Sequence, residues 1–224
     1  MARENLSDER RERILECTWK LIARDGIAAT NMRALAAEAG YANGALAYYF
    51  AGKDDLILAA YDYVVRQTDL RIAVTTRGLR GLAALRAFCA ELVPDNELKI
   101  LEARVVLPFW STALNHDGFA EVYKRGMESW RKQMTRYLSE AVAIGEIPPP
   151  SRAHQHKEAV ETLLSILSGM QSLATLSPDQ HTPSMMWTMI DAFLQSLSAP
   201  VLKGAARNRA SRTSTGVRRR APGY

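Results

Sequence analysis

Cysteine is nearly absent: Cys17 and Cys89 are the two in 224 residues, and their spacing is neither CxxC nor that of a zinc-ligand set. Neither a disulfide framework nor a metal site is expected, and the simple setting is a reducing, cytoplasmic one. No run of about 18 apolar residues occurs, which argues against a membrane span. The opening stretch MARENLSDERRERI is charged throughout and lacks the apolar segment of a secretory signal. Catalytic signatures are missing too. The four histidines, His116, His154, His156 and His181, form no HExxH, and His154 with His156 is an i, i+2 pair that shares no helical face. A Walker A loop, a GxGxxG turn and a GxSxG elbow are absent, so no enzyme and no cofactor is expected.

Strand signals are equally scarce, because period-two alternation never persists, whereas apolar residues recur three and four apart over most of the chain. With 47% hydrophobic residues there is enough apolar side chain for a real core. The pattern predicts an all-α protein of about nine helices. The first spans 8–25, with Ser7 as N-cap and Ile14, Cys17, Leu21 and Ile22 on one face, and stops at Gly26. A short second helix over 32–39 has Thr30 or Asn31 as its cap and Gly40 at its end, and a third follows at 43–49. From Asp54 to Thr76 the apolar positions keep helical period with Thr68 between them, making a long fourth helix. Five more are predicted at 79–93, 97–115 (kinked or divided at Pro108), 117–145, 153–177 and 183–199.

Two short helices joined by a tight turn, Ala39-Gly40-Tyr41-Ala42, and flanked by longer ones have the layout of a helix-turn-helix reader of the major groove. The stretch TNMRALAAEAGYANGALAYYFAGKDDL, residues 30–56, resembles the helix-turn-helix of the TetR family of bacterial transcriptional regulators. Thr30, Arg33, Leu35, Ala36, Ala39, Gly40, Gly44, Leu46, Tyr48, Phe50, Lys53, Asp54 and Leu56 match in one register. Ala47 stands where a Tyr is usual and Tyr49 where a His is usual, and GALAYYF looks more like the BetI-type branch. The candidate DNA contacts are Asn31, Arg33, Ala42, Asn43, Ala45, Tyr48, Tyr49 and Lys53. Arg33 can fork to a guanine edge or a phosphate, and Asn31 and Asn43 can bond base edges or backbone oxygens. The two alanines are small enough for close groove contact. Tyr48, Tyr49 and Lys53, with the amides opening the next helix, would hold phosphates.

In residues 162–202 the only charged side chains are Asp179 and Asp191, so the eighth and ninth helices cannot face much water on any side. A second copy of the chain is the simplest cover, giving a four-helix bundle and a homodimer through helices 8 and 9. Phe119, Tyr123, Met127, Trp130, Met134 and Tyr137 line one face of the seventh helix. The resemblance implies a small-molecule pocket in this domain. Its candidate lining is Phe88, Phe109, Trp110, Met127, Trp130, Met134, Met170, Gln171 and Trp187, a bulky and adaptable set. Asn115, His116, Gln171 and Glu102 are candidates to orient a polar group of the ligand.

Charge sharpens the division of the chain. Lys and Arg number 29 against 24 Asp and Glu, for a formal +5, yet residues 1–77 carry eleven of each sign and 203–224 carry seven basic and no acidic residues. The expected organisation is a three-helix helix-turn-helix domain (1–53), a helical ligand-binding and dimerisation domain (54–202) and a disordered basic tail (203–224). The tail adds nonspecific phosphate attraction or merely solubilises the chain end. The resemblance implies a homodimeric repressor that binds double-stranded, pseudo-palindromic operator DNA and answers to a small-molecule effector. The alternative is a helical small-molecule-binding protein without specific DNA binding.

Overall fold

The computed structural model describes residues 2–198, except Asn43 and Ala45, and side chains from residue 8 onward. Candidate contacts Asn43 and Ala45 and the basic tail therefore lie outside the described residues. Among the described residues there is no strand. Eight α-helices run in order: α1 (Ala2–Ala29), α2 (Met32–Ala39), α3 (Lys53–Thr75), α4 (Gly81–Leu92), α5 (Glu97–Ala113), α6 (Asp117–Ala143), α7 (Gln155–Leu176) and α8 (Pro183–Ser198), with one 3-10 turn at Leu46–Tyr48 between α2 and α3.

The predicted helix at 43–49 is thus a single turn. Among the described residues of 44–50, Leu46 and Phe50 are the buried ones, one turn apart, and the amides of Tyr49 and Phe50 both donate to the Leu46 carbonyl. So short a segment gains too little from packing to propagate a full helix, and Gly44 weakens it further. The first helix shows the opposite difference, extending to Ala29 because it resumes after a non-helical Gly26 (φ 83°). Pro108 leaves α5 continuous. The ladder bond that it cannot donate would go to the carbonyl of Arg104, an exposed residue.

Three apolar clusters fill the interior, and α3 passes through all of them. Its Leu56 joins Ile14, Leu15, Leu35, Leu46 and Phe50 under the N-terminal helices. From the next residue on, Ile57, Ala60, Tyr61 and Val64 pack with Trp19 and Ile22 of α1, Phe109 of α5 and Phe119 of α6. Ile72 reaches the largest cluster, built from α4, α6, α7 and α8 around Phe88, Met134, Leu163 and Ile190. The expected boundary at residue 53 falls at the first turn of this shared helix.

The start of α4 is held from outside. A Glu146 carboxylate oxygen accepts from the Leu82 amide at 2.7 Å and would have to move aside for a Cβ at position 81, where φ +58° itself favours glycine. By length and mean hydropathy (1.2 over 18 residues) α7 is apolar enough to cross a bilayer, although it holds no unbroken apolar run of that length. In the fold, a third of that stretch is buried inside the protein.

Candidate nucleic-acid interface and ligand cavity

Asn31 is the N-cap of α2, its side-chain oxygen accepting from the amides of Arg33 (3.1 Å) and Ala34 (2.9 Å). Thr30, the other candidate cap, is fully buried and donates its hydroxyl to the Gly26 carbonyl instead. The Asn31 amide nitrogen reaches the Ala29 carbonyl at 3.5 Å. The residue read as a base or backbone contact is therefore engaged in shaping the helix start, because an exposed N-terminus leaves amides that a short side-chain oxygen satisfies best. At the other end Gly40 is left-handed (φ 72°), and the Tyr41 amide closes back on the Ala36 carbonyl at 2.8 Å. That closure is what makes the turn sharp.

With its ends tied, α2 buries Leu35, Ala36 and Ala39 and leaves Arg33 exposed. Ala42 and Tyr48 are exposed as well, Tyr48 by 82%. Tyr49 is half-buried against the N-terminal core and meets Tyr48 edge to face, ring centroids 5.1 Å apart. Lys53 opens α3, half-buried. The amides that open α3 meet no side-chain cap; Asp54 and Asp55 stand in its first turn, and Asp55 accepts from the amide of Ala51, just before the helix, at 3.0 Å. Carboxylates are favoured in a first turn because the helix N-terminus attracts negative charge. Sequence reasoning missed Arg11, whose guanidinium lies 5.4 Å from the centroid of Phe50 and brings a positive charge beside the 3-10 turn. The basic run Arg10-Arg11 was its only signal.

A second feature sits between α3, α4, α5, α6 and α7, a cavity with about 30 Å³ open to the centre of a water molecule. Of the nine candidate lining residues, Trp110, Met127, Trp130 and Gln171 form its wall. The other five lie elsewhere. Phe88, Met134 and Met170 are core side chains, and Phe109 stacks flat on Tyr61 at 3.5 Å. Trp187 packs under the Arg86 guanidinium and donates its indole N–H to Asp95 at 3.0 Å. Bulk and apolarity marked these residues, but the same properties fill a close-packed core, and only tertiary geometry separates the two fates. Of the candidate polar groups Glu102 and Gln171 reach the wall; Asn115 and His116 are not part of it.

The wall also contains Tyr61 and Thr68 from α3 and Glu91 from α4, none of them singled out from sequence. Thr68 interrupting an apolar stripe was the available signal. Burial pushes the Tyr61 phenol up to about 12. The Trp110 indole is near enough to pull that value back in part, yet the pair does not close a hydrogen bond. Among the described residues, two buried side-chain polar atoms lack a partner, Trp110 Nε1 and Gln171 Oε1, and both belong to this wall. Trp130, by contrast, donates to Asp69 at 2.8 Å. Burial raises the Glu102 and Asp69 carboxyls above their ordinary range, with Arg71 acting against that rise at Glu102 and the Trp130 N–H at Asp69.

Comparison with known proteins finds two family models that match separate stretches of the chain. Residues 14–60 match the sequence model of bacterial regulatory proteins of the tetR family, and residues 81–199 match that of the C-terminal region of BetI-type transcriptional repressors. The HTH-type transcriptional regulator PksA of Bacillus subtilis is 29% identical over 172 residues, covering 76% of this chain and 81% of its own. The HTH-type transcriptional regulator BetI of Burkholderia mallei is 22% identical over 204 residues, covering 89% and 99%. Among solved structures, a TetR transcription regulator from Haloarcula marismortui superposes with a TM-score of 0.77 at 19% identity, over 85% of this chain and 98% of that one. A protein from Saccharomonospora viridis described as a transcriptional regulator, in complex with choline, superposes at 0.76 and 21% identity, over 84% and 96%.

Proposed function

The chain belongs to the TetR family of bacterial transcriptional regulators, with a BetI-type C-terminal domain, and on that footing we propose a homodimeric repressor that releases a pseudo-palindromic operator when a small molecule enters the cavity. DNA-binding transcriptional repression is the activity of the family to which it belongs. The observation that carries the finer reading is the course of α3. It begins at Lys53, directly behind the turn that would lie in the groove, and it supplies Tyr61, Val64 and Thr68 to the cavity wall. One helix thus has an end at each site. A ligand that prefers a tilted α3 about 100-fold would shift the equilibrium by roughly 2.7 kcal/mol.

Dimerisation through α7 and α8, the eighth and ninth helices of the sequence pattern, is supported by what these helices turn outward. Leu173, Leu176, Met185 and Met189 are exposed, while Asp191, the charged residue of α8, is turned to Arg86 of its own α4 at 2.8 Å. Two copies so joined would present recognition elements to successive major grooves about 34 Å apart. DNA as the partner puts the protein in the cytoplasm.

The choline complex of the S. viridis protein supports a small organic cation as effector class. The wall chemistry is compatible: Tyr61, Trp110 and Trp130 offer aromatic surface, and Glu91 and Glu102 offer carboxylates. Trp110 Nε1 and Gln171 Oε1 mark where polar atoms of an occupant would be received. The cavity must widen to take any such molecule, since about 30 Å³ suits little more than a water.

Footprinting on the DNA upstream of the protein's own gene tests the reading. A protected site with imperfect two-fold symmetry is the expected result, and absence of protection at every salt concentration overturns it.

A further inference from the structure

Beyond Thr68 the packing of α3 thins out: Ile72 is the buried residue of that part of the helix, while Leu70 and Val74 are more than half exposed. What holds this end is Arg71. Its Nη1 and Nη2 fork onto the two oxygens of Glu102 on α5 at 3.0 and 2.8 Å, and its Nε donates to Glu91 on α4 at 3.0 Å. Nη2 also donates to Thr68 one turn back, at 3.1 Å, which fixes the side-chain direction. One planar group therefore ties three helices in one geometry. Apolar neighbours allow a helix to slide by fractions of an ångström, whereas a bidentate guanidinium–carboxylate pair does not.

All three acceptors, Thr68, Glu91 and Glu102, line the cavity. Any group that enters and bonds to either carboxylate competes with Arg71 for it. The nearby Lys99 is committed to Asp95 at 2.8 Å, so Arg71 is the cation that the two glutamates share. Lys53 lies 18 residues before Arg71 on the same helix, about 27 Å at the usual helical rise, so a small shift at Arg71 becomes a change of angle at the recognition element.

We infer that Arg71 is a positioning residue, through which the state of the cavity sets the separation of the two recognition elements. The inference rests on the dimeric-repressor reading and adds to it the residue that transmits the change.

The test uses the full-length protein and a series of operators whose half-sites are moved apart or together by one base pair at a time. Affinity is measured across the series for the native protein, Arg71→Gln, Arg71→Lys and the charge-balanced double variant Arg71→Gln/Glu102→Gln, each checked for a folded thermal transition. The native protein should prefer one spacing over its neighbours by roughly tenfold, and every variant should flatten that preference to about twofold or move its optimum. Arg71→Lys keeps the charge and loses the fork, so its flattening assigns the effect to geometry. A structural role alone would lower affinity by one common factor and keep the profile's shape, and that result overturns the inference while leaving the repressor reading intact. If the native protein binds no spacing, the repressor reading falls and takes the inference with it.

Discussion

The ring of Tyr61 on α3 lies on that of Phe109 on α5, centroids 3.5 Å apart and planes 3° from parallel, and Phe119 closes the stack at 5.1 Å. Phe109 is thereby removed from the cavity, while its chain neighbour Trp110 lines it. The two residues should separate in experiment. Phe109→Ala should lower unfolding free energy by about 3–5 kcal/mol, the range for emptying a packed aromatic site. Trp110→Phe should cost much less stability, since it removes an indole N–H that has no partner. Denaturant unfolding of both variants checks the contrast, and equal losses would contradict it.

Gly81→Ala should destabilise the protein measurably. The new methyl group would meet the Glu146 carboxylate at 2.2 Å, in a left-handed conformation that alanine disfavours. Adding Glu146→Ala should relieve the contact but remove the acceptor of the Leu82 amide and leave the conformational cost of about 1 kcal/mol, so the double variant should still melt below the native protein.

At the DNA face three substitutions should differ in kind. Arg33→Ala should relax base preference, and Lys53→Ala should weaken all sequences alike, lowering the salt slope by about 1. Asn31→Ala should act through the helix it caps, costing about 1 kcal/mol of stability. Retardation assays at several salt concentrations, with melting curves, distinguish the three.

Asp69 gives a pH signature. Burial raises its carboxyl above the ordinary 3.8, so the folded state holds the proton more tightly than the unfolded one. The charged form therefore costs stability above the folded pKa, and that cost fades as pH falls and is gone below 3.8. Asp69→Asn keeps an oxygen for the Trp130 N–H and removes the charge. It should stabilise the protein at neutral pH, with the gain vanishing in acid; a gain independent of pH would refute the assignment.

Leu176→Glu combined with Met189→Glu should yield monomers in sedimentation and abolish cooperative operator binding. Both side chains are exposed, so the folded protomer should survive, as circular dichroism can verify.

Much of this architecture was legible in the chain. The 3.6-residue period, the scarcity of strand patterns and Gly40 between two short apolar segments are local signals, and local sterics and caps decide helix ends. Asn31 shows the limit: its residue type suits a cap and a base contact equally, and the cap is seen only once the amides of Arg33 and Ala34 are placed beside it. The cavity was less legible still. Residues such as Phe88 and Trp130 share composition and period, so no pattern along the chain could tell core from wall.

By itself the sequence determined helical class, the helix-turn-helix register and the charge-poor stretch of α7 and α8, because each depends on neighbours within a few residues. The tertiary structure alone decided that α3 threads three cores, that Glu91 and Glu102 converge on Arg71 from separate helices, and that Trp110 and Gln171 share one cavity. The side-chain relations at Arg71 and in the cavity join positions between 11 and 61 residues apart, and the core cluster that α3 joins reaches farther still, from Ile72 to Ile190. They are set by how helices pack across the core, which periodicity along one helix does not encode.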